Sequence, residues 1–244
     1  MIFVSSFIFN VLFWTWAVGM HLLTLPLLLA PHGWLMAMGK VWLRGNVWLA
    51  RTVAGIRYEV RGWENIPTTP CLIASKHQSA WDAFALPVLL DLPSFVLKRE
   101  LMRIPVFGWY LRRYGPVPVD RSAGASALRS MLRRAHEEMD KGRSVVIFPE
   151  GTRVPPGETR PFHPGVAALY RDLGTPLVPV ILDSGHYWPR RSFLKRPGTI
   201  TITFLPPIPP GLSRREVMTR LSEDLNGEQA GPGEAGSGQA AKTA

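Results

Sequence analysis

The sequence predicts an α/β protein with a single domain, built on a largely parallel central sheet flanked by helices and preceded by an N-terminal membrane-associated helical segment. Two observations lead to this prediction. From about Arg57 onward, short β-rich runs alternate with helical stretches, which is typical of parallel strands joined by helices. Before Lys40 the chain carries no charged side chain, counting histidine as neutral, and it is strongly apolar.

The first apolar stretch, from Ile2 to about Leu25, is long enough to form a membrane helix. Such a helix spans roughly 30 Å or more, the hydrocarbon thickness of a bilayer. A signal peptide is the alternative, but it fits poorly because no basic region precedes the apolar run and the run is too long. Pro26 and Pro31 are expected to end this helix.

A second helix is expected over residues 34–53. Lys40, Arg44 and Arg51 are spaced by four and seven residues, so they share one helix face, while tryptophan and aliphatic residues occupy much of the rest. This pattern predicts an interfacial helix with its cations toward lipid headgroups; an ordinary surface helix packed on a core is the alternative. Because these basic residues follow the first helix, the main domain is expected on the cytoplasmic side of the inner, or cytoplasmic, membrane.

Residues 1–55 are therefore expected to be the membrane-associated segment, residues 56–225 the folded domain, and residues 226–244 a disordered tail without large apolar residues. The candidate strands are Leu72–Ser75, Ser94–Leu97, Val117–Val119, Ser144–Phe148, Leu177–Leu182 and Thr199–Phe204. The candidate helices are Ser79–Leu90, Ser122–Lys141, Pro164–Asp172 and Ser213–Leu225.

The composition limits the possible partners. A net charge of +10 suits nucleic acid, an anionic membrane surface or a phosphorylated substrate, and nine tryptophans favour a membrane interface. In the basic region from Lys98 to Arg134 aromatic residues occur only within residues 107–114, so the region lacks the aromatic interleaving along its length that a single-strand binder needs, and no nucleic acid is predicted. Cys71 is the only cysteine, and the His and acidic residues lack metal-ligand spacing, so neither a metal nor a bound cofactor is predicted.

The stretch SKHQSAWD places His77 and Asp82 five residues apart, directly after an apolar run. If both were helical they would point in different directions, so they meet only if His77 precedes the helix and Asp82 lies in its first turn. The pair would then be a general base with its orienting carboxylate. The alternative is structural, because Ser79 to Asp82 also matches a capping box.

A second motif, FPEGTR, follows the apolar run that ends at Phe148. Glu150, Gly151, Thr152 and Arg153 offer a tight turn, a hydroxyl and a guanidinium, which together can hold an anion. A surface ion pair between the glutamate and the arginine is the alternative.

A third motif, GPVPVDR, ends in Arg121, a second phosphate candidate whose alternative is a solvated side chain. A fourth motif, VPVIL, is most simply interpreted as a buried strand over Leu177–Leu182.

Taken in this order, KHQSAWD, GPVPVDR, FPEGTR and VPVIL resemble the four sequence blocks of the glycerolipid acyltransferase family with its H-x4-D motif, most closely the 1-acyl-glycerol-3-phosphate acyltransferases. The resemblance covers about Leu72 to Leu182. It implies an α/β domain with an N-terminal membrane-associated helical segment.

The resemblance also implies acyl transfer from acyl-CoA or acyl carrier protein, as co-substrate, to the sn-2 hydroxyl of lysophosphatidic acid, giving phosphatidic acid in phospholipid synthesis. His77 would be the general base for direct attack on the thioester, and Asp82 would orient it. The implied acceptor-binding residues are Arg121, Glu150, Gly151, Thr152 and Arg153, and Lys98 matches a further basic position.

Two departures from the family pattern leave the acceptor open. Lys76 stands where an asparagine often precedes the histidine, and His163 stands where a lysine often follows EGTR. A lyso-ornithine lipid or another lysophospholipid is thus an alternative acceptor. A hydrolase is disfavoured because no G-x-S-x-G occurs. A non-enzymatic, basic membrane-binding protein is the remaining class.

Overall fold

The computed structural model of the chain describes residues 1–120 and 124–227. Its α-helices are α1 (Ile2–Leu23), α2 (His32–Thr52), α3 (Asp82–Leu89), α4 (Phe107–Tyr114), α5 (Gly124–Met139), α6 (Gly165–Leu173) and α7 (Arg214–Gly227). Its strands are β1 (Ile56–Arg61), β2 (Leu72–Ser75), β3 (Ser94–Lys98), β4 (Val117–Val119), β5 (Val145–Ile147), β6 (Leu177–Leu182) and β7 (Gly198–Phe204). Helix α4 and strand β1 were not predicted from the sequence.

Within the described residues, the seven strands form one sheet in the order β1-β7-β6-β2-β5-β3-β4. Five neighbouring pairs are parallel, and only β6 and β7 pair antiparallel. The predicted α/β fold with a largely parallel sheet is thereby confirmed. Because β2, β5 and β6 are adjacent and parallel, their carboxyl ends meet at one edge of the sheet.

The central strands are apolar on both faces, as expected when helices cover both sides of a parallel sheet. In β2, Ile73 faces a core shared with residues of α1, α2 and α3, whereas Leu72 and Ala74 face a core shared with α5, α6 and α7. The two N-terminal helices therefore contribute to the same core as the sheet, through Phe9 and Leu49 among others.

Helix α1 is long and apolar enough to cross a membrane, with a mean hydropathy of 1.7 over its most apolar stretch. One side of it packs on the domain, while a row of large apolar side chains along it is exposed, including Phe3, Phe7, Trp14 and Leu22. An exposed apolar surface of this size suits contact with lipid. The helix can therefore serve as a membrane anchor.

Helix α2 also has two distinct sides. Leu43 and Leu49 are buried, whereas Trp34, Trp48 and Arg44 are exposed on the opposite side. Lys40 does not share that exposure fully, because its ammonium pairs with the Asp91 carboxylate at 2.5 Å. The helix thus packs on the core with one side and exposes tryptophan and arginine with the other, while its interfacial position stays a prediction.

Candidate active site

The site residues come from loops at the carboxyl ends of the three central parallel strands. Strand β2 leads into Lys76 and His77, β5 leads into the segment from Phe148 to Arg153, and β6 leads into Ser184. Open α/β sheets characteristically bind ligands at this edge. Residues more than a hundred positions apart in the sequence are brought together there.

His77 and Asp82 meet as the motif required. His77 precedes α3, Asp82 is the first residue of that helix, and His77 Nδ1 lies 2.9 Å from Asp82 Oδ2. Asp82 is fully buried, and the imidazole is 17% exposed. Since the carboxylate oxygen accepts a hydrogen bond from Nδ1–H, the lone pair of Nε2 is left available to a substrate.

The capping-box interpretation is correct only in part. Helix α3 begins at Asp82 and not at the predicted Ser79, and its N-cap, Trp81, makes no side-chain cap hydrogen bond. The expected contact of the Asp82 carboxylate with the Ser79 backbone is nevertheless present. The same Oδ2 accepts hydrogen bonds from the backbone N–H groups of Gln78 and Ser79, each at 2.9 Å. Its other oxygen, Oδ1, accepts a hydrogen bond from the Ser184 hydroxyl at 2.5 Å. One buried carboxylate therefore binds both the backbone that precedes α3 and the histidine ring, so the catalytic and structural interpretations of the motif are not exclusive.

The His77 ring and backbone are held from several sides. The imidazole stacks on the Phe148 ring with centroids 4.0 Å apart. The carbonyl of His77 accepts a hydrogen bond from Val154 N–H at 2.8 Å, and Lys76 N–H donates to the Val180 carbonyl at 3.0 Å. These contacts tie the histidine to the loops after β5 and β6 and limit its movement.

Glu150 lies beside the backbone of His77. Its carboxylate accepts a hydrogen bond from the His77 backbone N–H at 3.1 Å, and the residue is 4% exposed. Burial raises its pKa to about 7, against the lowering effects of that hydrogen bond and of the Lys76 and Arg160 charges; the Asp82 charge adds to the rise. The neighbouring Lys76 is buried too, and burial lowers its pKa.

The raised pKa of Glu150 predicts a pH-dependent stability. The folded-state pKa of Glu150 lies above the ordinary value of 4.5. The stability that the protonated Glu150 carboxyl contributes to the folded state is therefore fully present below about pH 4.5 and is lost as the pH rises through 7. The loss is at most roughly 3 kcal/mol, since one unit of pKa corresponds to about 1.4 kcal/mol. Thermal unfolding at pH 5 and pH 8 should show a smaller pH effect in Glu150→Gln than in the wild type.

Glu64→Gln is the matched control for that measurement, because Glu64 is exposed. The pH effect on thermal unfolding of Glu64→Gln should equal that of the wild type. An equal pH effect in the wild type and in Glu150→Gln would contradict the assignment of this pH dependence to Glu150.

The rest of the FPEGTR loop faces a cavity. Gly151 has a φ of 65°, a left-handed conformation that favours glycine, and the turn directs Thr152 and Arg153 toward the space beside His77. Lys98, at the end of β3, lines the same cavity. Glu150 is not among the residues that line it. Arg121 lies outside the described residues.

The cavity has a volume of 840 Å³ and is predominantly apolar. It is bordered by helices α1 to α5 as well as by the sheet edge. His77, Lys98 and Arg153 provide polar groups in its wall, and aromatic or aliphatic side chains form most of the remainder, among them Leu35, Trp42, Phe84, Phe95, Tyr110 and Leu128. Such a space fits a long apolar chain whose polar end lies beside the histidine.

Sequence reasoning missed three contributors to the site: Gln78, Phe148 and Ser184. The Gln78 side chain accepts a hydrogen bond from Gly185 N–H at 3.1 Å, joining the histidine loop to the turn after β6. A Cβ at Gly185 would lie 2.7 Å from Pro156, so glycine permits this close approach. A signal for Ser184 was its position just after the VPVIL strand, where a parallel strand delivers its next residues to the site.

A histidine fixed by a buried carboxylate, at the carboxyl edge of a parallel sheet and facing an apolar cavity, is typical of an enzyme that performs acid–base chemistry on a long apolar substrate. The family model named Acyltransferase matches residues 57–183, about half of the chain. The chain belongs to this acyltransferase family.

Individual relatives agree with that assignment. A 1-acyl-sn-glycerol-3-phosphate acyltransferase of Pseudomonas aeruginosa is 47% identical over 165 residues, 68% of this chain and 64% of that protein. A lyso-ornithine lipid O-acyltransferase of the same species is 33% identical over 136 residues, 56% of this chain and 52% of that protein. The crystal structure of the 1-acyl-sn-glycerophosphate acyltransferase PlsC from Thermotoga maritima has a TM-score of 0.72 at 23% identity, covering 92% of this chain and 95% of that one. This structural likeness supports the fold.

Proposed function

We propose that the protein is a 1-acyl-sn-glycerol-3-phosphate acyltransferase. It transfers an acyl chain from a thioester to the sn-2 hydroxyl of lysophosphatidic acid and produces phosphatidic acid. The observation that carries the proposal is the His77–Asp82 pair, 2.9 Å apart, facing the apolar cavity in which Arg153 and Lys98 supply positive charge. The 47% identity to the Pseudomonas enzyme supports this acceptor.

The proposed reaction is a direct displacement. The acceptor hydroxyl gives its proton to His77 Nε2 while its oxygen attacks the thioester carbonyl carbon, and a tetrahedral adduct forms. The adduct collapses as the C–S bond breaks, and the leaving thiolate takes the proton back from the imidazolium. Asp82 stabilises the imidazolium through Nδ1–H. No metal or resident cofactor takes part, and acyl-CoA or acyl carrier protein is the co-substrate.

The remaining site residues are proposed to bind the acceptor. Arg153 and Thr152 lie beside His77 in the cavity wall, and Lys98 faces the same space from β3. A guanidinium and an ammonium suit a phosphate group. We assign Arg121 to the same role from its motif, and Glu150 to the support of His77, because its carboxylate accepts the His77 N–H.

A lyso-ornithine lipid is the second candidate acceptor. The 33% identity to the Pseudomonas lyso-ornithine lipid O-acyltransferase favours it. That acceptor carries no phosphomonoester, so its binding would depend less on Arg121 and Arg153.

The two acceptors are distinguished by assay of the purified full-length chain in detergent micelles. Each acceptor is offered separately, with acyl-CoA and with acyl carrier protein as donor. We expect transfer to lysophosphatidic acid. Transfer to the lyso-ornithine lipid alone would replace the proposed acceptor and keep the chemistry, and transfer to neither lipid would refute both.

The cavity is proposed to hold an acyl chain. Gly39 of α2 lines it, and a Cβ there meets no heavy atom within 4 Å. We expect Gly39→Leu to fill part of the space and to lower kcat/KM for the longest acyl donors by about 10- to 100-fold, since each buried CH₂ contributes about 0.8 kcal/mol. Short-chain donors should be unaffected.

Gly19→Leu is the matched control for the cavity, because Gly19 is an exposed glycine of α1 with equally open surroundings. Its chain-length profile should equal that of the wild type. An unchanged profile in Gly39→Leu would argue against this part of the cavity as the acyl site.

We infer that the protein works at the cytoplasmic face of the inner, or cytoplasmic, membrane. The exposed apolar row on α1 and the exposed tryptophans of α2 support membrane contact, and Arg44 and Arg51 on α2 favour the cytoplasmic side by the positive-inside tendency. Membrane lipids and acyl carrier protein are accordingly the expected partners.

A further inference from the structure

The segment after β6 carries a cationic cluster that the motifs did not indicate. We define the basic arm as residues 189–197, PRRSFLKRP, between β6 and β7. Arg190 at its start donates a hydrogen bond from Nη1 to the carbonyl of Arg153 at 3.1 Å. Both arginines line the cavity that His77 faces. Arg190 is also exposed, so it lies where the cavity opens to solvent.

The arginines of this cluster form no ion pairs within the part of the chain that the structure describes. No carboxylate among the described residues forms an ion pair with Arg153, Arg190 or Arg191. Burial lowers the pKa of Arg153, and the nearby charges of Arg190 and Arg191 lower it further, while the charge of Asp82 raises it. Cations that lie close together and form no ion pair with a described carboxylate indicate a place for an anion.

The arm is fixed in place by its second half. Lys195 is buried, and its ammonium donates to the carbonyls of Ser192 and Phe193 at 2.8 and 3.0 Å. The backbone N–H of Lys195 donates to the Ser6 hydroxyl of α1 at 2.9 Å. Arg191 has a φ of 58°, an uncommon conformation for a residue with a side chain. Local strain combined with a firm anchor on α1 indicates that the position of the arginines matters.

The arm also reaches the apolar surface of α1. Phe193 and Leu194 are exposed, and the Phe193 ring lies 5.3 Å from the ring of Phe3, which is itself exposed. The arginines at the start of the arm are thus joined to a surface suited to lipid contact. The anionic headgroup of a lipid bound to this apolar surface would lie close to these arginines.

We propose that Arg190, with Arg153, binds a phosphate dianion beside His77, and that this phosphate is the phosphomonoester of the lyso-lipid acceptor. This inference rests on the proposed function. In lysophosphatidic acid the phosphorus is only a few bonds from the hydroxyl that His77 deprotonates, so both groups must lie close together. Val154 N–H, bonded to the His77 carbonyl at 2.8 Å, holds the Arg153 loop in that position. The phosphates of acyl-CoA are separated from the thioester by the whole pantetheine arm.

The test compares Arg190→Gln and Arg190→Lys with Arg196→Gln. Arg196 is the matched control because it is an exposed arginine of the same arm that does not line the cavity. KM is measured for lysophosphatidic acid and for lysophosphatidylglycerol, a phosphodiester. The donors are acyl-CoA and the acyl thioester of N-acetylcysteamine, which has no phosphate.

We expect Arg190→Gln to raise KM for lysophosphatidic acid by about 10- to 100-fold, the effect of losing a charged hydrogen bond. KM for lysophosphatidylglycerol should change much less, Arg190→Lys should recover part of the loss, and Arg196→Gln should match the wild type. An equal loss with both acceptors would mean that Arg190 only supports the Arg153 loop, and it would overturn the proposal. A rise in KM for acyl-CoA alone would assign the phosphate to the donor and overturn it as well.

A binding measurement separates this inference from the proposed function. Calorimetric titration of short-chain lysophosphatidic acid into the full-length protein needs no turnover. Weaker binding in Arg190→Gln but not in Arg196→Gln would support the phosphate site even if no acyl transfer were detected. Equal binding in all variants would refute it even in an active enzyme.

Discussion

Replacing His77 with alanine is expected to lower kcat by about 100- to 10,000-fold, the usual contribution of a positioned general base. The backbone bonds of His77 to Glu150 and Val154 do not depend on its side chain, so the fold should persist. The acceptor hydroxyl has a pKa far above 7, and without the imidazole nothing beside it removes its proton. Acyl transfer to lysophosphatidic acid, followed with purified protein in micelles, measures the loss.

A surface pair of the same kind provides the control for His77. His136 Nε2 lies 2.9 Å from Asp172 Oδ2, and both side chains are well exposed, between α5 and α6. His136→Ala should keep full activity. If His77→Ala retained activity within a few-fold of the wild type, the catalytic assignment would fail and SKHQSAWD would be a capping motif only.

Asp82→Ala is expected to affect both stability and activity, because its carboxylate accepts four hydrogen bonds in a fully buried position. The change leaves the N–H groups of Gln78 and Ser79 without their acceptor. Each unsatisfied buried donor costs about 1–3 kcal/mol. We expect a loss of roughly 3–5 kcal/mol in the free energy of unfolding, a fall of the thermal midpoint on the order of 10 °C, and loss of transfer activity.

Asp82→Asn separates the two roles of this carboxylate. The amide oxygen can still accept from the helix start, so stability should largely recover. The negative charge that stabilises the imidazolium is lost, so kcat should stay about 10- to 100-fold below the wild type. Asp172→Ala, which removes the carboxylate of the surface pair, should change neither property. Full activity in Asp82→Asn would show that Asp82 serves the helix start alone.

The sequence by itself determined the α/β class, because the alternation of apolar strands and amphipathic helices is a local property of the chain. It also predicted that Asp82, in the first turn of a helix, would reach back to His77, since five residues and one helix start decide that contact; the helix itself begins three residues later than predicted, at Asp82. The requirement for glycine at position 151 is equally local, because the turn there needs a left-handed backbone.

Only the tertiary structure decided the place of strand β1 and the site residues that come from the loop after β6. Strand β1 was missed because its parallel partner is β7, more than a hundred residues later, and its own pattern alternates weakly. Ser184 and Arg190 reach the site only because β6 pairs with β2 and delivers the following loop beside His77. A side chain's role at such a place depends on strand order, which long-range pairing fixes and local sequence does not.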